Sequence, residues 1–124
     1  MIELNPKYES LFDTHNIDAD CDYIAHLMSD EAKIIKESLL AGQYNQAITM
    51  YLQLLKSMCI HFVEDEHWCY FDDWYSPDNV MSELYEFIMK HDIDKDAEAL
   101  LLAGHEEIRQ TECYDNYGCP SYIR

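Results

Sequence analysis

The chain has 124 residues, of which 48% are hydrophobic, and this is enough material for one domain with its own core. Its 25 Asp and Glu residues outnumber its 8 Lys and Arg residues, which leaves a net charge of −17. This balance argues against direct binding of nucleic acid or of an anionic membrane surface, because both need basic side chains.

The composition also predicts a folded protein rather than a disordered or membrane-spanning one. The chain has only 3 Gly and 3 Pro against 10 Tyr, 4 Phe and 2 Trp. No apolar run approaches the ~18 residues that a membrane span needs, and the first residues lack a signal-peptide pattern. The 5 Cys are odd in number and scattered, which favours reduced thiols. We therefore expect one cytoplasmic domain over residues 1–124.

The N-terminal region predicts a short first helix. Asn5 suits the cap and Pro6 suits the first helical position, and apolar residues follow at helical spacing. This helix is expected to end near His15.

Two more helices are predicted before Gly42, a residue type common at helix C-termini. Asp18 or Asp20 opens the first of them, whose apolar positions end at Met28. Ser29 then starts a new pattern, in which acidic residues favour the positive end of a further helix. Gly42 is expected to stop that helix.

A central helix is predicted at about residues 44–63. Its apolar residues recur in steps of three and four, and further apolar residues widen the stripe on both sides, so neighbours are expected on several faces. Strands are disfavoured, because strict alternation and hairpin turn signals are absent from the sequence. The stripe consists of Tyr44, Ile48, Tyr51, Leu55, Met58 and Phe62.

The second half of the chain predicts two helices. Ser76 and Pro77 form a helix start, and Asp94 or Asp96 opens a last helix that reaches Ile108. The predicted fold class is therefore an all-α, single-domain bundle of five or six helices.

Residues 29–58 resemble a single tetratricopeptide-like helical hairpin. Gly42 and Tyr44 match the turn of that family, Ala47 the small residue that lets the paired helix approach, and Tyr51 the aromatic four positions on. The Trp and Leu-Gly signature of the family's first helix is replaced here, and the match does not recur after Ser76. The resemblance implies a helical-repeat-like unit that needs neighbours to bury its apolar face.

The C-terminal half is also similar to helical segments of bacterial SWIM-type zinc-finger proteins. The similarity rests on the order of features from Trp74 onward: aspartates with aromatics, two helices, and a Tyr-Asp-Asn-Tyr-Gly run. The zinc finger itself, which combines a Cys-x-Cys pair with a Cys-x-His pair, is absent from the sequence. This similarity implies an accessory helical module.

Cysteine and histidine residues form one possible metal-ligand pattern. Four such ligands suit zinc, but residues two apart on a continuous helix point to nearly opposite sides. We therefore assign no metal site and no cofactor, while metal binding remains an alternative. Without a Gly-rich phosphate loop or a nucleophile beside a base, the sequence predicts a non-catalytic protein. The pattern comprises Cys59, His61, His67 and Cys69.

The densest acidic run lies beside both tryptophans, and we call it the acidic–aromatic segment. Acids steer a basic partner and aromatic rings supply rigid contact area and cation–π capacity, so the leading hypothesis is a module that binds a basic protein segment. Alternatively, the aromatics only close the core, or the acids imitate nucleic acid in an inhibitor or immunity-type antagonist of a nucleic-acid-binding protein. Monomer and homodimer are both compatible with the sequence. The segment's predicted binding residues are Glu64, Asp65, Glu66, Trp68, Asp72, Asp73, Trp74 and Tyr75.

Overall fold

A computed structural model describes residues 2–12, 21–65 and 77–110. Within these ranges the chain forms helices and no strands, which confirms the predicted all-α class. No helix in the described ranges combines the length and the apolar character that a membrane span requires. The helices are α1 (Pro6–Phe12), α2 (Cys21–Leu40), α3 (Tyr44–Asp65), α4 (Pro77–Met89) and α5 (Lys95–Arg109).

Local sequence signals fix several helix ends as predicted. The side-chain oxygen of Asn5 accepts a hydrogen bond from the Lys7 backbone N–H at 3.0 Å, so Asn5 caps α1. Asp94 caps α5 in the same way, accepting from the Ala97 N–H at 2.8 Å. Pro77 begins α4, as expected for the first helical position.

The predicted break at Ser29 is wrong, because α2 runs without interruption from Cys21 to Leu40. Its buried positions continue through Ser29 in steps of three and four, so one apolar face covers the whole helix. The Ser-Asp-Glu run has the composition of a helix start, but burial of this continuous face outweighs it. The buried apolar residues along α2 are Ala25, Met28, Ala32, Ile35 and Leu39.

Gly42 forms the C-terminal stop of α2, as predicted. It has φ 82, a left-handed conformation that favours glycine. Its N–H bonds to the Leu39 carbonyl and the Gln43 N–H to the Ser38 carbonyl, both at 3.0 Å, which is the Schellman arrangement. This tight turn folds α3 back along α2.

Helix α3 is the centre of the bundle, as predicted, and it contacts each of the other four helices. Helix α2 packs against α4, α3 packs against α5, and α1 lies against both α2 and α3. Tyr51 meets His105 and Lys56 meets Glu107, so α3 and α5 run in the same direction. The buried apolar residues of α3 are Ala47, Ile48, Tyr51, Leu52, Leu54, Leu55, Met58 and Cys59.

Candidate functional site

The acidic–aromatic segment lies only partly in the described residues. Glu64 and Asp65 form the end of α3, and the last turn of that helix carries no basic residue. Their charges therefore add to the negative end of the helix dipole. The other six residues of the segment lie outside the described ranges: Glu66, Trp68, Asp72, Asp73, Trp74 and Tyr75.

The Cys/His pattern is divided in the same way. Cys59 is buried inside α3, and the helix continues through His61, so these two residues do not share a helix face. His67 and Cys69 lie outside the described ranges. Among the residues that the structure describes, no group of three or more His, Cys, Asp or Glu side chains could hold a metal ion.

The described residues contain an open groove between α3, α5 and the N-terminal residues, which we call the α3–α5 groove. It encloses a volume of about 350 Å³. Glu3 and Glu107 contribute acidic side chains to its rim, and Thr49 and Gln53 contribute uncharged polar ones. Its apolar part is formed by Leu52, Leu100, Ala103 and Gly104.

The depth of the groove depends on Gly104. A Cβ atom at this position would lie 2.3 Å from Cδ1 of Leu52, so the Leu52 side chain occupies the space that a larger residue would need. Leu52 is 1% exposed and belongs to the core. The missing side chain therefore lets α3 and α5 approach closely beneath the groove.

An ion pair fixes one end of the groove and holds the N-terminal residues there. The Lys56 ammonium lies 2.9 Å from a Glu107 carboxylate oxygen and donates to the Ile2 carbonyl at 2.9 Å. The Ile2 N–H in turn donates to both carboxylate oxygens of Glu107, at 2.9 and 3.1 Å. Burial opposes ionisation of Glu107, but these hydrogen bonds and the Lys56 charge outweigh it, so the pKa of Glu107 lies below its usual value.

A buried polar pair lies beside the groove, in the α3–α5 interface. The Tyr51 hydroxyl and Nε2 of His105 are 2.8 Å apart, and the Tyr85 ring packs 5.4 Å from the His105 ring. Burial, with a smaller contribution from the Arg109 charge, lowers the pKa of His105 to about 4. The imidazole is therefore neutral at neutral pH. Since His105 is only 6% exposed, this pair connects two helices and is closed to a substrate.

A second groove lies between α2 and α4, with a volume of about 480 Å³, and we call it the α2–α4 groove. Its lining is polar: His26, Lys33 and Lys36 come from α2 and Glu83 from α4. The Lys36 ammonium lies 5.2 Å from the centre of the Phe87 ring, a cation–π contact between the two helices. Bases and acids are thus mixed in this groove.

Sequence reasoning did not find the α3–α5 groove. Lys56 was visible as a base within the most apolar helix, and α5 shows acids and apolar residues at helical spacing. The pairing of these positions across α3 and α5 has no local signature. Only the packed structure brings Lys56 to Glu107 and Leu52 to Gly104.

No family model, curated protein or solved structure shows a significant match to the chain. The resemblances to a tetratricopeptide hairpin and to SWIM-associated helices therefore stay predictions.

Proposed function

We propose that the protein is a non-catalytic helical interaction module that binds a basic segment of a protein partner through its acidic–aromatic segment. The observation that carries this proposal is the end of α3. Glu64 and Asp65 stand there without a basic residue in the last turn, on a chain with a net charge of −17.

Within α3 itself, this sequence of residues is electrostatically unfavourable. An exposed acid at a helix C-terminus interacts unfavourably with the helix dipole, at a cost of roughly 0.3–1 kcal/mol. A Lys or Arg side chain from a partner would reverse the sign of that interaction. The helix end therefore favours a cationic ligand, and the tryptophans that follow in the sequence supply ring faces suited to cations.

A charge-neutralising variant tests the proposal. The variant changes Asp65→Asn, Glu66→Gln, Asp72→Asn and Asp73→Asn. Its matched control removes four acids at exposed positions elsewhere: Glu37→Gln, Glu86→Gln, Asp92→Asn and Glu98→Gln. The probe is a fluorescein-labelled peptide of alternating Lys and Ser, and the readout is fluorescence anisotropy at two salt concentrations.

We expect the segment variant to bind the peptide about tenfold more weakly than the matched control, because both have the same net charge and only one lacks the docking acids. Equal affinities of the two variants would show that binding follows total charge alone. That result would contradict the proposal.

A further inference from the structure

We propose that the α3–α5 groove is a second docking site, which takes an apolar side chain from a basic amphipathic helix of a partner protein. The basic character of this partner rests on the proposed function. The described residues that line the groove do not belong to the acidic–aromatic segment, so variants can test the two sites apart.

The face of α5 beside the groove is apolar in its middle and acidic at both ends. Asp96, Leu100, Ala103 and Glu107 follow one another at i, i+4, i+7 and i+11, so they share one face of the helix. Two apolar residues thus stand between two acids. Leu100 is 37% exposed, a large apolar side chain open to a ligand.

The groove is large enough for a side chain of a partner. Its volume of about 350 Å³ falls within the range of pockets that enclose small ligands or large side chains. Leu52 and Gly104 are buried and close the bottom of the groove, so the apolar surface open to a ligand is that of Leu100 and Ala103. A branched or long apolar side chain entering here would lose water contact on several sides.

The walls of the groove are held in place before any partner arrives. The Lys56–Glu107 pair fixes α3 to α5, and its hydrogen bonds to Ile2 hold the N-terminal wall. Lys56 is thereby neutralised within the protein. Across the groove, Thr49 and Gln53 are uncharged, and Glu3 adds an exposed acid to the rim.

These features define the chemistry of the partner. Asp96 and Glu107 are separated by about 16 Å along α5, given a rise of ~1.5 Å per residue. Glu107 is already paired with Lys56, so the exposed acids are Asp96 at one end and Glu3, which follows Ile2, at the Glu107 end. A partner helix with two leucines in its middle and a lysine one turn beyond each of them brings its lysines near these two acids. Such a helix would lie along the groove. Its leucines would make the apolar contact, and its lysines would set its orientation.

The test uses a fluorescein-labelled synthetic helix, the Leu peptide, with lysines eleven residues apart and two leucines between them in an Ala/Gln background. A matched Ser peptide replaces both leucines by serine. Ala103→Arg blocks the groove at an exposed position, and Thr49→Arg blocks it from the opposite wall. Ala99→Arg is the control: it is exposed on the same helix, adds the same charge and does not line the groove.

We expect the native chain to bind the Leu peptide about tenfold more tightly than the Ser peptide, because only leucines fill the groove. Ala103→Arg and Thr49→Arg should each remove that preference, and Ala99→Arg should keep it. Circular dichroism confirms that each variant is folded. The use of two blocking positions leaves a usable variant if one of them misfolds.

Equal binding of the Leu and Ser peptides by the native chain, or equal loss in Ala103→Arg and Ala99→Arg, overturns the groove proposal. Absence of any binding of the Leu peptide overturns it as well. The variant lacking the four segment acids separates this failure from failure of the proposed function. If that variant alone loses the Lys/Ser peptide while no variant distinguishes the Leu peptide, the acidic–aromatic site stands and the groove does not.

Discussion

The α2–α4 and α3–α5 grooves are built from the same arrangement and have opposite chemistry. Each lies between two helices that pack together but are not consecutive in the sequence. The α2–α4 groove is crossed by a long cationic side chain, Lys36, whose ammonium rests on Phe87. At the α3–α5 groove, Gly104 admits the apolar side chain of Leu52 instead.

The side chains between the two helices set the chemistry of each groove. At the α2–α4 groove, His26, Lys33 and Glu83 leave mixed charges. At the α3–α5 groove, Gly104 lets the helices approach closely, and the open surface is apolar with acids at its rim. Two grooves of one bundle can therefore have different ligands without any change of fold.

The largest effect is expected from the Leu52–Gly104 contact. Leu52→Ala should lower the free energy of unfolding by ~3 kcal/mol, since it removes a buried side chain at the crossing. Gly104→Ala should cost about 1 kcal/mol in the native chain but add about 1 kcal/mol in the Leu52→Ala background, where its methyl group meets open space and favours the helix. Urea denaturation of the four proteins measures this cycle. The same sign of Gly104→Ala in both backgrounds would contradict the close approach of α3 and α5.

The His105–Tyr51 pair predicts a pH dependence of stability. His105 titrates at about 4 in the folded chain, and a histidine in the unfolded chain titrates near 6.5. Between these values only the unfolded state binds the proton, so stability falls as the pH decreases from neutral. The loss from His105 between pH 7 and pH 5 should reach ~2 kcal/mol.

The control for this titration is the double variant Tyr51→Phe/His105→Phe, which removes both partners of the 2.8 Å contact. Denaturation at pH 7 and pH 5 should show a smaller pH effect in the double variant than in the native chain. An unchanged difference would mean that the pKa of His105 is the same in the folded and the unfolded chain.

Lys56→Met tests whether the ion pair holds the N-terminal residues at the end of the α3–α5 groove. Loss of the ion pair and of the bond to the Ile2 carbonyl should cost about 1 kcal/mol and speed hydrogen exchange of the Ile2 amide. Lys90→Met, an exposed lysine after α4, removes the same charge and serves as the control. Equal exchange rates of the Ile2 amide in the two variants would show that Lys56 does not hold the N-terminal wall.

The smallest effect is expected in the α2–α4 groove. Lys36→Gln should lower the free energy of unfolding by about 0.5 kcal/mol, since it removes a single cation–π contact at a partly exposed site. Thermal denaturation measures this change. The preference for the Leu peptide over the Ser peptide should persist in Lys36→Gln. Loss of this preference would mean that the Leu peptide binds at the α2–α4 groove instead.

The sequence predicted those parts of the fold that depend on neighbouring residues. Asn5, Gly42 and Asp94 act within a few positions of themselves, so their roles follow from residue type. The stripe of α3 likewise predicted its central place. The break at Ser29 failed because a serine followed by acids suits a helix start, whereas burial along the whole of α2 decided the outcome.

The candidate groove was harder to predict, because its contacts join distant positions. Glu107 meets both Ile2 and Lys56, and Gly104 meets Leu52. Spacing within α5 shows which residues share a face, but the packing of α3 against α5 shows what that face borders. The acidic–aromatic segment was predicted from charge and composition alone, and the peptide-binding measurement tests it.

The most direct measurement is an NMR titration of the ¹⁵N-labelled chain with the Leu peptide, which compares the two grooves in one experiment. We expect the largest amide shifts at Leu100 and Ala103 on α5 and at Thr49 across the groove. Amides of Ser29 and Lys33 in the α2–α4 groove should change little. If the largest shifts occurred at those α2 positions, or if the Leu100 and Ala103 amides were unchanged at saturation, the proposed docking site in the α3–α5 groove would be contradicted.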